Sequence, residues 1–147
     1  MKLRSVAILT AFGALALVLP ACSSGPEPMQ VNMQASEFRF EPSTIEVKAG
    51  QQLTVMMQNM GTVEHDFVIQ EIPVEGTAAE SATAQPGMAG HSMAGTGMEP
   101  AVHMGAMAGM TDSVTFIPTK PGTYEFFCAV AGHKEAGMVG TLIVRER

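Results

Sequence analysis

The chain has 147 residues, of which 46% are hydrophobic, which is enough for one ordinary domain with a packed core and short for two. Fourteen acidic residues against eight basic ones give a net charge of −6 at pH 7. Nucleic-acid binding depends on Lys and Arg side chains that neutralise phosphates, so this acidic balance argues against a nucleic acid as partner. Two cysteines exclude a framework of several disulfides.

Residues 1–21 have the pattern of a secretory signal peptide, with two basic residues before an apolar run over residues 6–19. Residues 19–22, Leu-Pro-Ala-Cys, resemble a bacterial lipobox, although proline is unusual at its second position. The resemblance predicts lipidation of Cys22, and ordinary cleavage beside an incidental cysteine is the alternative. We expect residues 22–28 to tether a domain to a membrane, in the periplasm or at the cell surface.

From Met29 to the C-terminus, the sequence is typical of a domain of short β-strands. Apolar and polar residues alternate over short stretches that are separated by turn-forming residues, and no long stretch has helical periodicity. The pattern predicts an all-β fold, an antiparallel sandwich or barrel. The predicted strands lie within residues 31–40, 44–48, 53–57, 65–69, 113–117, 123–128 and 140–145.

Residues 74–111 interrupt the strand pattern. The stretch from 85 to 110 is rich in methionine and glycine, and its pattern assigns no packed element to it. We predict a long flexible insertion between two strands. Soft thioethers favour Cu(I), which makes this stretch a candidate for auxiliary copper binding, with an adaptable linker as the alternative. The candidate auxiliary Cu(I) ligands are Met88, His91, Met93, Met98, His103, Met104, Met107 and Met110.

A metal-binding pattern follows the strand predicted over residues 123–128. Cys128, His133 and Met138 lie five residues apart, and blue-copper sites combine one thiolate and two imidazoles with a weakly bound thioether. The second imidazole must come from elsewhere, and His65 at the start of a strand is better fixed than the two histidines of the insertion. Zinc is the competing metal, but a thioether is a poor zinc ligand. Taken singly, each of these side chains has an ordinary structural explanation.

These motifs resemble the cupredoxins, the family of blue-copper proteins that includes plastocyanin, azurin, auracyanin and rusticyanin. Residues 40–50 look like the family's early strand pair, residues 59–66 like the segment of its first histidine ligand, and residues 122–128 like the strand before its copper loop. The resemblance implies a Greek-key β-sandwich over residues 29–147, interrupted by the insertion. It also implies one type 1 copper per chain, with the ligands His65, Cys128, His133 and Met138.

In this family the histidine of the ligand loop reaches the surface. The resemblance therefore implies a one-electron carrier in which the electron enters and leaves through His133. The expected partners are redox proteins such as a cytochrome or an oxidase, and we expect a monomer. Backbone N–H groups near Asp66 are expected to donate to the copper-bound sulfur. Family members often have Ser or Thr where this chain has Ala129, so a hydroxyl partner for Asp66 is missing. They often have Pro where this chain has Ala131, which predicts a looser loop.

Two other functions stay open. The first is an extracytoplasmic copper chaperone or copper-resistance protein that binds Cu(I) through the methionine-rich stretch. The second is a purely structural sandwich. An enzyme is not expected, because the chain has four histidines and no His-x-His pair for a second copper site.

Overall fold

The computed structural model describes residues 25–80 and 99–147, which form two five-stranded β-sheets packed as a sandwich. No stretch within these two ranges is a helix long and apolar enough to cross a membrane. The predicted signal peptide and Cys22 lie outside the described residues. The strands are β1 (Met29–Ser36), β2 (Arg39–Glu41), β3 (Thr44–Lys48), β4 (Leu53–Asn59), β5 (His65–Ile69), β6 (Val74–Glu80), β7 (Val102–Ala106), β8 (Thr111–Pro118), β9 (Gly122–Phe127) and β10 (Val139–Arg145).

The two sheets have the orders β2-β1-β4-β8-β6 and β3-β10-β9-β5-β7. The all-β, cupredoxin-like sandwich is therefore confirmed, but the sheets are mixed and not purely antiparallel. Two pairs of strands are parallel: β1 with β4, and β3 with β10. They arise because the chain crosses to the opposite sheet between β2 and β3 and returns between β3 and β4.

The predicted strand regions all contain strands, and β3 shows how alternation leads to one. In β3, Ile45 and Val47 are buried while the residues on either side are exposed, as a half-buried strand requires. The single stretch predicted over residues 31–40 is divided into β1 and β2 by a turn, in which Phe38 has a φ of 64°. A non-glycine residue at positive φ is uncommon, so nothing in the local pattern indicated this division.

Residues 74–111, predicted as a flexible insertion, contain two strands, β6 and β7. β6 pairs with β8, and β7 pairs with β5 along the edge of the second sheet. Val102 and Met104 in β7 are buried, which gives this strand an inward face despite its glycine and methionine content. Residues 81–98, with Met88, His91, Met93 and Met98, lie outside the described residues.

Aromatic packing in the core fixes the two strands that lead to the predicted metal ligands. Phe67 of β5 and Phe126 of β9 are fully buried, and their ring centroids lie 4.9 Å apart. Phe40 packs against Phe126 at 5.4 Å. Each of the first two phenylalanines lies two residues from a predicted ligand, so dense core packing holds the ends of β5 and β9 in place.

Candidate metal centre

Three of the predicted ligands, His65, Cys128 and His133, converge at one end of the sandwich. Their donor atoms all lie within 4.8 Å of one another. The Cys128 sulfur is 3.9 Å from Nδ1 of His65 and 3.4 Å from Nδ1 of His133, and the two imidazole centroids are 5.1 Å apart. His65 and Cys128 are fully buried and His133 is half-buried, so the centre is closed except on the side of His133.

The loop from Cys128 to Met138 is held by its own backbone. The Cys128 amide donates to the Met138 carbonyl at 3.1 Å, and the Met138 amide donates to the His133 carbonyl at 2.9 Å. The His133 amide donates to the Val130 carbonyl, which closes a turn between the first two ligands. Gly137 has a φ of 100°, a conformation that other residues rarely adopt. The loop is thus ordered despite the two alanines that depart from the family pattern.

Met138 completes the donor set. Its side chain is fully buried, and the backbone bond from Cys128 places it at the closing end of the ligand loop. A thiol, two imidazoles and a buried thioether suit copper, because soft sulfur donors and imidazole both bind it well. The same set suits zinc less well, since a catalytic zinc needs an open position for water and a structural zinc takes four N or S⁻ donors.

The Cys128 sulfur accepts a hydrogen bond from the Asp66 amide at 3.3 Å, as predicted. Burial raises the pKa of the Cys128 thiol, and hydrogen bonds from the amides of Asp66 and Val130 oppose that rise. Because a metal binds the thiolate form, copper binding must release the thiol proton. The two amides then stabilise the negative charge on the sulfur.

His65 is kept neutral by its surroundings. Burial lowers the pKa of its imidazole, and the nearby His133 lowers that pKa further. A neutral imidazole is the form that binds a metal. The site therefore presents both histidines close to the thiol, with His65 already in the form that copper requires.

The comparisons with known proteins agree with this geometry. The model of the family described as "Copper binding proteins, plastocyanin/azurin family" matches residues 27–145. The chain belongs to this family. It is a cupredoxin, and His65, Cys128, His133 and Met138 form the site of one type 1 copper.

The proteins similar to this cupredoxin include copper-resistance proteins and auracyanins. The copper-resistant cuproprotein CopI of Rubrivivax gelatinosus is 34% identical over 77% of this chain, and the match spans 64% of that relative, less than two thirds of its length. Auracyanin-A of Chloroflexus aurantiacus is 29% identical over 98% of this chain and 97% of its own. The solved structure of auracyanin A, a "blue" copper protein from that bacterium, aligns with a TM-score of 0.59 and 24% identity. The alignment covers 80% of this chain and 99% of the auracyanin chain, which supports the fold.

Asn59, which the sequence analysis did not single out, joins three segments around the copper end of this cupredoxin. Its side chain is fully buried, and Nδ2 donates to the carbonyls of Val63 at 2.7 Å and Ala106 at 2.8 Å. Its Oδ1 accepts from the Gly61 amide at 2.8 Å. These bonds fix the segment over residues 60–64 that leads into His65. An amide at a strand end, two residues before a glycine, is the only signal in the sequence.

Glu37 is a second residue that the sequence analysis missed. Its Oε1 accepts from the Thr62 amide at 2.7 Å and from the Thr62 hydroxyl at 3.0 Å, and the amide bond lowers the pKa of the Glu37 carboxyl. A Cβ on Gly61 would lie 2.7 Å from Nε2 of His65 and 2.9 Å from Oε1 of Glu37. Glycine at position 61 therefore allows a carboxylate and a ligand imidazole to approach the same point.

Phe38 and Lys134 make contacts at the edge of the centre, and of these two Phe38 is the one that packs against His133. The Phe38 ring meets the His133 ring edge to face, with centroids 5.4 Å apart, and it is 49% exposed. Lys134 lies 3.9 Å from the centre of the Phe127 ring and pairs with Glu125 at 2.6 Å, which ties the ligand loop to β9. The exposed surface beside His133 is thus partly aromatic.

The candidate auxiliary Cu(I) ligands do not form one group. Met104 packs in the hydrophobic core, so its prediction as an accessible ligand is wrong. Nε2 of His103 lies 3.8 Å from an Asp66 oxygen, and that carboxylate raises the pKa of His103, so this histidine is engaged in an ion pair. Met107 and Met110 are exposed, and the other four candidates lie outside the described residues.

Proposed function

We propose that the protein is a one-electron carrier. The observation that carries this proposal is that the four donors are buried except at His133, which reaches the surface. A bound copper ion supplies the chemistry by alternating between Cu(II) and Cu(I). The packing of Phe67 and Phe126 restrains the strands that carry His65 and Cys128, so the donors need to rearrange little between the two states.

The residues at the centre have distinct roles in this function. The amides of Asp66 and Val130 stabilise charge on the sulfur, which tunes the potential of the site. His133 is the group through which the electron leaves, and the exposed Phe38 ring beside it provides an apolar contact for a partner. Four protein donors leave no open position for a substrate, so we do not propose an enzyme.

The sequence pattern supports an extracytoplasmic location for this carrier. Residues 1–21 have the features of a signal peptide, and we propose that lipid on Cys22 holds the domain at the outer face of a membrane. The net charge of −6 and the apolar surface near His133 favour a redox partner with basic or apolar patches. We further propose that the protein acts as a monomer.

The test of the copper function is spectroscopic. The purified protein loaded with copper is expected to show an intense charge-transfer band that a reductant removes and an oxidant restores. Cys128→Ser should abolish the band, whereas the matched Cys22→Ser should retain it and lose membrane association. If the loaded protein shows no such band, or if the band survives Cys128→Ser, the proposed centre is wrong.

Copper delivery or copper resistance is the second candidate. The relative from Rubrivivax gelatinosus is named as copper-resistant, which is the observation that favours it. A carrier keeps its copper through repeated redox cycles, whereas a delivery protein transfers Cu(I) to an acceptor. Incubation of the reduced, copper-loaded protein with a copper-free acceptor, followed by separation, distinguishes the two: full retention of copper supports the carrier, and transfer supports delivery.

A further inference from the structure

Three exposed methionines lie at the copper end of the sandwich. Met60 is 57% exposed, and Met107 and Met110 are each 42% exposed. Exposed large apolar side chains indicate an interaction site when several of them lie together. The described residues contain five such side chains, and three of the five are these methionines. The other described methionines are buried or half-buried, namely Met29, Met33, Met56, Met57, Met104 and Met138.

The backbone brings these three residues together from distant parts of the chain. The Asn59 amide donates to the Met110 carbonyl at 2.9 Å, and the Gly109 amide donates to the Asn59 carbonyl at 3.0 Å. Met60 follows Asn59 directly, and the Met110 amide donates to the Met107 carbonyl at 2.9 Å. Methionine has three rotatable bonds, so thioethers on such closely tied backbones can reach a common point.

The same backbone connects this cluster, which we call the thioether cluster, to the copper centre. Met60 begins the segment of residues 60–64 that ends at His65. Met107 follows Ala106, which is paired with His65 in the register of β5 and β7. The donors of the centre are buried, apart from the half-buried His133, so a metal ion that approaches this end meets exposed groups first.

We propose that Met60, Met107 and Met110 form a Cu(I)-binding site that is separate from the type 1 centre and holds the ion before it reaches Cys128. Neutral thioethers are soft donors that select Cu(I) over Cu(II) and zinc. Passage to the centre exchanges thioether ligands for the thiolate without a change in oxidation state, and the thiol proton is released to solvent. The site does not depend on whether the protein carries electrons or delivers copper.

The binding test uses the full mature protein with its type 1 centre already filled and reduced. A second equivalent of Cu(I) is titrated under anaerobic conditions in competition with a colorimetric Cu(I) chelator. We expect the triple variant Met60→Leu, Met107→Leu, Met110→Leu to bind this equivalent at least tenfold more weakly, because leucine keeps the volume and removes the sulfur. The type 1 band of the variant, recorded in the oxidised protein before reduction, reports that the fold and the centre are intact.

A matched variant places the same three changes at Met88, Met93 and Met98, which lie outside the described residues. It should keep the second equivalent. The proposal is overturned if the exposed triple variant binds Cu(I) as the wild type does, or if the matched variant alone loses the second equivalent. Neither result affects the type 1 band, so failure of this proposal is distinct from failure of the proposed function.

A residue-specific measurement gives a second test. With ¹³C-labelled methionine methyl groups and Ag(I) as a redox-inert substitute for Cu(I), the signals of Met60, Met107 and Met110 should shift together and saturate at one equivalent. Assignment follows from the single leucine variants. Signals that stay in place, or that move independently at different silver concentrations, would show that the three thioethers do not share an ion.

Discussion

Asn59→Ala is expected to destabilise the protein strongly and to weaken the copper centre. The change removes three hydrogen bonds of a buried side chain, to the backbone of Val63, Ala106 and Gly61. At about 1 kcal/mol for each bond, the free energy of unfolding should fall by about 3 kcal/mol. For a domain of this size, that loss lowers the melting temperature by about 10 °C.

Urea unfolding followed by far-ultraviolet circular dichroism measures the effect, because the chain has no tryptophan for fluorescence. The loss should be larger with copper bound than without it, since Asn59 also fixes the segment that leads into the ligand His65. Asn32→Ala is the matched control, because Asn32 is exposed and its side chain accepts a hydrogen bond from that of the exposed Gln30. It should change stability by less than about 0.5 kcal/mol. A loss below about 1 kcal/mol for Asn59→Ala would refute the assigned role.

Three further changes test the surroundings of the centre. Gly61→Ala places a Cβ 2.7 Å from Nε2 of His65. The free energy of unfolding should therefore fall by about 1–3 kcal/mol, and the visible band should shift. An unchanged band and an unchanged melting temperature would contradict this prediction. Glu37→Gln removes a negative charge that favours the oxidised site, so voltammetry should record a higher reduction potential, and an equal or lower value counts against the argument. The Asp66 carboxylate raises the pKa of His103, so the stability that this pair contributes is complete below about pH 6.5 and is lost as the pH rises through the raised pKa. Thermal unfolding of wild type and His103→Gln should therefore differ most at low pH, and a pH-independent difference would argue against the ion pair.

The elements predicted from sequence share a local cause. β3 and β5 were predicted with their observed bounds, because alternation in β3 and the apolar run in β5 between turn residues are visible within a few positions. The order Cys128, His133, Met138 likewise places three donors on one loop, so their proximity needs no knowledge of distant segments. His65 was assigned by its place at the start of a strand, and the structure brings it to the same loop.

What the tertiary structure decided lies in contacts between residues far apart in the chain. β7 is a strand because β5 offers it hydrogen-bond partners and the core accepts Met104, although its composition is that of a linker. The role of Asn59 depends on burial beside Ala106, 47 residues later, and the thioether cluster exists because that strand end lies beside the turn with Met107 and Met110. The sequence alone therefore determined the all-β fold class and the ligand loop with Cys128, His133 and Met138, since alternation and spacing are local. It indicated His65 by its place at a strand start. The supports and neighbours of the centre depended on the fold, because burial and hydrogen-bond pairing are properties of the assembled sheets.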